Sequence, residues 1–260
     1  MSIQLRMERI EKTKKPQKEK TMKASFGEKD FSGDVVFKMK NVSKGFGDRT
    51  LFSDVEMEVA GGERIALLGD NGTGKSTLVR MIMNELAPDT GTILLSANAK
   101  VGYLPQIVTF EDPSRSCLDT MLYEAGCKPQ EARDRLAAFG FRGEKVFTPV
   151  NSLSGGEQSR LKLCIEMGKN INLLVLDEPT NHLDLESIAA LNNGMSAFPH
   201  NIVFSCHDHQ FVQTTANRIM EILPNGSLID KITTYDEYLA SDEMARKRTV
   251  YTADTPMEEN

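Results

Sequence analysis

The chain has 260 residues, 40% hydrophobic and 26% charged, with a formal net charge of −6. That length suits one α/β domain with appendages, and the acidic balance argues against a general nucleic-acid coat. The N-terminus is charged rather than apolar, which argues against a secretory signal. The best apolar run, Ile171 to Leu176, is broken by Asn172, so any membrane role has to come through a partner.

In chain order, residues 1–23 carry Arg6, Arg9, Lys12, Lys14, Lys15, Lys18, Lys20 and Lys23 against Glu8, Glu11 and Glu19. Ile3, Met7 and Ile10 share one helical face, and the pattern is expected to stop by Pro16. Residues 16–33 show no periodicity, so 1–33 reads as a basic helical end followed by a flexible linker. Alternation predicts strands at Val35–Asn41 and Asp54–Val59. Arg64–Leu68 is short, apolar and followed by a glycine loop, as a buried strand would be. Leu78, Met81, Ile82 and Leu86 predict a helix from Lys75 to about Leu86, ended by the turn Pro88-Asp89-Thr90-Gly91.

Strands are expected next at Thr92–Leu95 and Lys100–Leu104, then a helical stretch over Ser114–Phe139. Further helices are predicted at Gly156–Met167, Leu185–Met195, from Asp208, and at Tyr235–Lys247. Strands are predicted at Leu173–Leu176 and Ile202–Ser205, and near Arg218–Leu223 and Ser227–Ile229. Such an order implies a buried parallel core with an all-helical insertion, over residues 34–240, followed by a tail at 241–260. Cys117, Cys127, Cys164 and Cys206 form no C-x-x-C pair and read as reduced thiols of a cytosolic protein.

The chemistry sits at strand ends. Gly69-Asp70-Asn71-Gly72-Thr73-Gly74-Lys75-Ser76 fits G-x-x-x-x-G-K-[ST] and lies between a predicted strand and a predicted helix. Glycines let backbone N–H groups turn inward around phosphate oxygens, and the helix N-terminus adds partial positive charge. Lys75 would reach the β and γ phosphates and Ser76, followed by Thr77, would hold Mg²⁺. The alternative is an ordinary glycine-rich turn.

Leu173-Leu174-Val175-Leu176-Asp177-Glu178 delivers Asp177 to a metal at the carboxyl end of a strand and sets Glu178 beside it as a general base. Gln106, after Tyr103-Leu104-Pro105, can contact metal or water. His207, after Phe204-Ser205-Cys206, can donate to a γ phosphate. Phe46 lies between Gly45 and Gly47; its ring either stacks an adenine or packs into the core.

These elements, together with Leu153-Ser154-Gly155-Gly156-Glu157-Gln158, resemble the ATP-binding cassette superfamily over about residues 35–232. The resemblance implies a P-loop NTPase (RecA-like) core with an antiparallel β subdomain and a helical subdomain. It also implies ATP and Mg²⁺ sandwiched between two cassettes. Ser154, Gly155, Gly156 and Asp184 would then reach the nucleotide bound by the opposite cassette.

Within the superfamily, Asp177-Glu178-Pro179-Thr180-Asn181-His182-Leu183-Asp184 resembles the ABC-F form, as do Lys44-Gly45-Phe46-Gly47-Asp48-Arg49 and the short helical insertion. Gln4-Leu5-Arg6-Met7-Glu8-Arg9-Ile10-Glu11 looks like the tail of the linker that joins two cassettes in that family. The resemblance implies action on the ribosome and tRNA, in translation or antibiotic resistance. A basic helix end is compatible with contact to RNA phosphates. Only one cassette is present, and it looks like the second of the pair. Two rivals are the nucleotide-binding subunit of a membrane transporter and a cassette that binds ATP without useful turnover.

Overall fold

A computed structural model of the protein describes residues 35–245, apart from 182 and 242. The expected helix through Ile3, Met7 and Ile10, the linker before 35 and the tail from 246 lie outside the described residues.

Two strands rich in Val, Phe and Met, β1 (Val35–Phe46) and β2 (Arg49–Ala60), form one long antiparallel hairpin. β4 (Thr90–Leu95) pairs with the other side of β1, giving a small sheet of order β2-β1-β4. The larger sheet has six strands in the order β5 (Val101–Leu104), β6 (Leu173–Asp177), β7 (Asn201–Ser205), β3 (Arg64–Leu68), β8 (Arg218–Ile222), β9 (Leu228–Lys231). All neighbours are parallel except β8 and β9.

The central strands are buried on both faces, and their side chains divide strictly between two cores. Leu173, Val175, Val203, Ile65 and Leu67 pack with the small sheet and with α1 (Lys75–Ile82). Leu174, Leu176, Ile202, Phe204 and Ala66 pack with the helical side. That side comprises α2 (Cys117–Glu124), α3 (Pro129–Ala138), α4 (Gly155–Gly168), α5 (Leu185–Ala197), α6 (His209–Thr215) and α7 (Tyr235–Ala240). The architecture is therefore the α/β P-loop NTPase core with an antiparallel β subdomain and a helical subdomain.

Boundaries differ from expectation where local backbone chemistry overrides the apolar pattern. β1 and β2 run longer than their alternating segments because Asn41 (φ 48°) and Asp54 (φ 51°) take left-handed conformations where the register shifts, so pairing resumes beyond them. α1 ends at Ile82, not near Leu86. Asn84 adopts φ 57°, its N–H bonds to Met81 O at 3.0 Å and Glu85 N–H bonds to Arg80 O at 2.9 Å, a Schellman stop. The stretch expected over Ser114–Phe139 is two helices, parted at Gly126, where φ is 64°. Among the described residues no helix is long and apolar enough to cross a membrane.

All four cysteines are free; Cys117, Cys164 and Cys206 are buried and Cys127 is half-buried. Burial pushes the Cys117 thiol up to about 11, which keeps it protonated and unreactive near neutrality.

Candidate nucleotide site

The site is assembled at the carboxyl ends of β3, β6 and β7, where a parallel sheet opens between the two layers that flank it. The loop after β3 depends on its glycines. Gly69 has φ 135°, and a Cβ there would overlap the Ile222 carbonyl oxygen and stand 2.8 Å from Thr73 Oγ1. Gly74, φ 110°, leads directly into α1; a Cβ there would press on Leu51 and Phe52 of the hairpin at 3.1–3.3 Å. Thr73 fastens the turn through its hydroxyl, which donates to Asp70 O at 3.0 Å.

Lys75 is the buried cation of the loop. Its Nζ donates to Gly69 O at 2.7 Å and to Asp70 O at 3.0 Å. Desolvation lowers its pKa, opposed by the negative charges of Glu178, Asp70 and Asp177. Ser76, one residue on, donates from Oγ to Asp177 Oδ1 at 3.1 Å. Asp177 is buried at the end of β6, and the Ser205 hydroxyl at the end of β7 also donates to its Oδ1, at 2.7 Å. Two oxygen donors, a hydroxyl and a carboxylate, suit a hard divalent cation that draws its remaining ligands from phosphates and water.

Glu178 has φ 50°, left-handed for a residue with a side chain. Its N–H is held by Ser205, at 3.1 Å to the carbonyl oxygen and 2.9 Å to the hydroxyl. The Asn181 amide donates to Oε2, and His207 Nε2 lies 3.6 Å from Oε1. Gln106 is exposed two residues beyond Leu104, as Glu178 is two residues beyond Leu176. Since Leu104 and Leu176 are paired, Gln106 sits on the adjoining stretch of the same sheet edge.

Phe46, at the tip of the hairpin, is 54% exposed, which removes the core-packing alternative. Lys44 lies over its ring at 5.4 Å from the centroid. Thus Gly69–Thr77, Asp177, Glu178 and His207 are brought together, with Gln106 on the adjoining edge and Phe46 at the hairpin tip.

Ser154, Gly155, Gly156 and Asp184 belong elsewhere. Ser154 caps α4, accepting from Glu157 N at 3.3 Å while the Glu157 carboxylate accepts from Ser154 N at 2.9 Å. Asp184 caps α5, accepting from Ser187 N at 2.7 Å. Ser187, through its side chain and then its N–H, holds the Asp184 carboxyl below its usual range, helped by the nearby charges of Arg160 and Lys145. Both caps lie on the helical side of the sheet, opposite α1. Ser205 and Arg49 were not singled out from sequence. Arg49 donates from Nη2 to the Gly72 carbonyl at 3.3 Å.

Similarity to known proteins agrees with this geometry. The family profile described as ABC transporter matches residues 52–181, half of the chain. The chain belongs to that family. It is an ATP-binding cassette, with the phosphate loop, Asp177 and the α4 cap all inside the matched region. It is 38% identical over 221 residues to the Bacillus subtilis ABC transporter ATP-binding protein YkpA, covering 84% of this chain and 41% of YkpA. It is 33% identical over 246 residues to the Arabidopsis thaliana protein named ABC transporter F family member 2, covering 94% of this chain and 36% of that one. The cassette thus spans about two fifths, or less, of the length of these relatives. A solved structure of a putative metal-chelate type ABC transporter in an inward-facing conformation shares the fold, with TM-score 0.68 and 21% identity over 83% of this chain and 89% of that one.

Proposed function

We propose that residues 34–240 form an ABC-F-type ATPase domain that closes on a second cassette around MgATP and acts in the cytoplasm on the ribosome. The observation that carries the ATPase reading is the junction at the end of β6. Asp177 takes the Ser76 hydroxyl of the phosphate loop at 3.1 Å, and the next residue is a carboxylate held in a left-handed backbone.

In this reading Gly69, Asp70, Asn71, Gly72, Thr73, Gly74, Ser76 and Thr77 surround the phosphates with backbone N–H groups. Lys75 exchanges its two carbonyl acceptors for β and γ oxygens. Ser76, Asp177 and Gln106 hold Mg²⁺, which supplies charge neutralisation on the phosphates. Glu178 takes the proton of the attacking water, His207 donates to the γ phosphate, and Phe46 stacks the adenine. The products are ADP and phosphate. Ser154, Gly155, Gly156 and Asp184 sit across the sheet from α1, and by the family resemblance they serve nucleotide held by the partner, either an upstream half of the same polypeptide or a dimer mate.

The ABC-F assignment is supported by Asn181 through Asp184 and by similarity along 94% of the chain to a relative named for that branch. The basic residues before 24 would meet ribosomal RNA or tRNA phosphates, with antibiotic resistance by ribosome protection as one outcome.

The test is cosedimentation of the full encoded protein carrying Glu178→Gln from lysate with MgATP. ATP-dependent pelleting with ribosomes is expected. Pelleting with membranes instead would make this the ATPase subunit of a transporter.

A further inference from the structure

Arg49 opens β2 and is the cross-strand partner of Phe46, so the two side chains leave the hairpin tip on the same face. From there its Nη2 reaches the Gly72 carbonyl at 3.3 Å, and its Nη1 stands 3.9 Å from where a Cβ on Gly72 would be. The same end of the hairpin is seated on the phosphate loop through Leu51 and Phe52, which lie against Gly74. A nucleotide with its base on the Phe46 ring and its phosphates in the loop therefore has to run past Arg49.

Arg49 is exposed and, among the described residues, takes part in no ion pair. Its acceptor is a neutral carbonyl at 3.3 Å, beyond the usual N–H···O range. A phosphate oxygen is a stronger acceptor for a guanidinium, since the bond is charge-assisted and the planar fork can make two at once. Lys75 is in the same condition, its ammonium resting on two loop carbonyls. Both cations point at the loop and both hold acceptors weaker than the one a nucleotide would bring.

We propose that Arg49 is a further nucleotide-binding residue, which leaves the Gly72 carbonyl to grip the phosphate chain on the side nearer the base. The inference rests on the ATP-binding reading of the loop and adds a second cation, carried by the β subdomain, to the one carried by α1. Because the contact is to phosphate, it is indifferent to which base lies on Phe46. It is present in the diphosphate as well as the triphosphate.

Titrations of ATP, ADP and GTP into the full chain at several salt concentrations test this, using wild type, Arg49→Ala, Arg49→Lys and Lys75→Ala. Arg49→Ala is expected to raise Kd for all three nucleotides by a common factor of about tenfold or more. The dependence of Kd on salt should become shallower, because one cation has gone, and Arg49→Lys should recover part of the affinity. An unchanged Kd in Arg49→Ala, or a loss confined to the triphosphates, overturns the proposal.

The side chain is exposed, so the thermal midpoint should not move; if it does, Arg49→Gln replaces the alanine variant. Binding lost in Lys75→Ala but kept in Arg49→Ala would remove Arg49 alone. Failure of the wild type to bind any nucleotide would remove the ATP-binding reading as well.

Discussion

Glu178 carries the most unusual backbone of the site. A left-handed conformation in a residue with a Cβ costs about 1–3 kcal/mol and persists only where its surroundings insist on it. Here Ser205 does so through two acceptors for one N–H. Glu178→Gln keeps the side chain's shape but removes the proposed base, so phosphate release should fall by about 10²–10⁴ while ATP affinity is retained. Single-turnover hydrolysis alongside equilibrium binding checks both halves.

Gly69→Ala should act in the opposite way, through the fold. Its Cβ would overlap the Ile222 carbonyl, at a φ alanine avoids, and stability should drop by about 1–3 kcal/mol in urea unfolding.

At this scale the sequence was legible wherever chemistry needs a fixed spacing, as in the loop glycines and the acids after the Leu173–Leu176 run. Ser205 was not legible, because a serine ending a strand is ordinary until parallel register sets it opposite Asp177. Arg49 was hidden for a related reason. Its partner, Gly72, is 23 residues away and is met only through the folding of the hairpin onto the loop.

Among the elements, α4 shows how a helix end can be stable and available at once. Its capping box satisfies the first turn internally, while Ser154 and Gly155 remain exposed. Ser154→Ala should cost about 1 kcal/mol of stability, seen as a lower midpoint in denaturant. Lys145, 2.5 Å away, and the Ser154 N–H hold the Glu157 carboxyl below its ordinary value of 4.5. A depressed folded pKa means that the unfolded chain protonates first. The stabilisation is then complete above pH 4.5 and is lost as pH falls towards the folded value. Unfolding free energy should therefore fall less steeply from about pH 5 to about pH 3 in Glu157→Gln than in the wild type.

Element types were readable from periodicity, but ends were less so. Leu86 continues the helical spacing of Leu78 and Ile82, which conceals that Asn84 has already turned left-handed. Likewise, alternation gives no account of a strand that continues past a bulge at Asn41.

For the whole molecule, the decisive fact is the opposition of α1 and α4 across one sheet. A cassette of this build presents a phosphate loop from one layer and a capped helix end from the other, so a complete site on the proposed reading needs two. Glu178→Gln with MgATP should accordingly sediment as a pair, with itself or with a second cassette. A charged, bulky change at the exposed α4 start, Gly155→Asp, should abolish that pairing and leave nucleotide affinity in the monomer intact. Analytical ultracentrifugation with and without ATP separates these cases; a monomer at high concentration of protein and ATP would rule out self-pairing.

The alternating packing of β6 has a consequence for how this chain can change. Leu173 and Val175 belong to one core, Leu174 and Leu176 to the other, and Asp177 closes the run. The strand works as a ruler read from both sides. Removing or adding one residue within it would swap the side chains beyond the change between the two cores and carry Asp177 to the wrong face. The hairpin tip at Gly47 and Asp48, by contrast, bears no such double constraint. Length variation should therefore be tolerated at that turn and refused in β6, where one strand has to satisfy two cores and still end on Asp177.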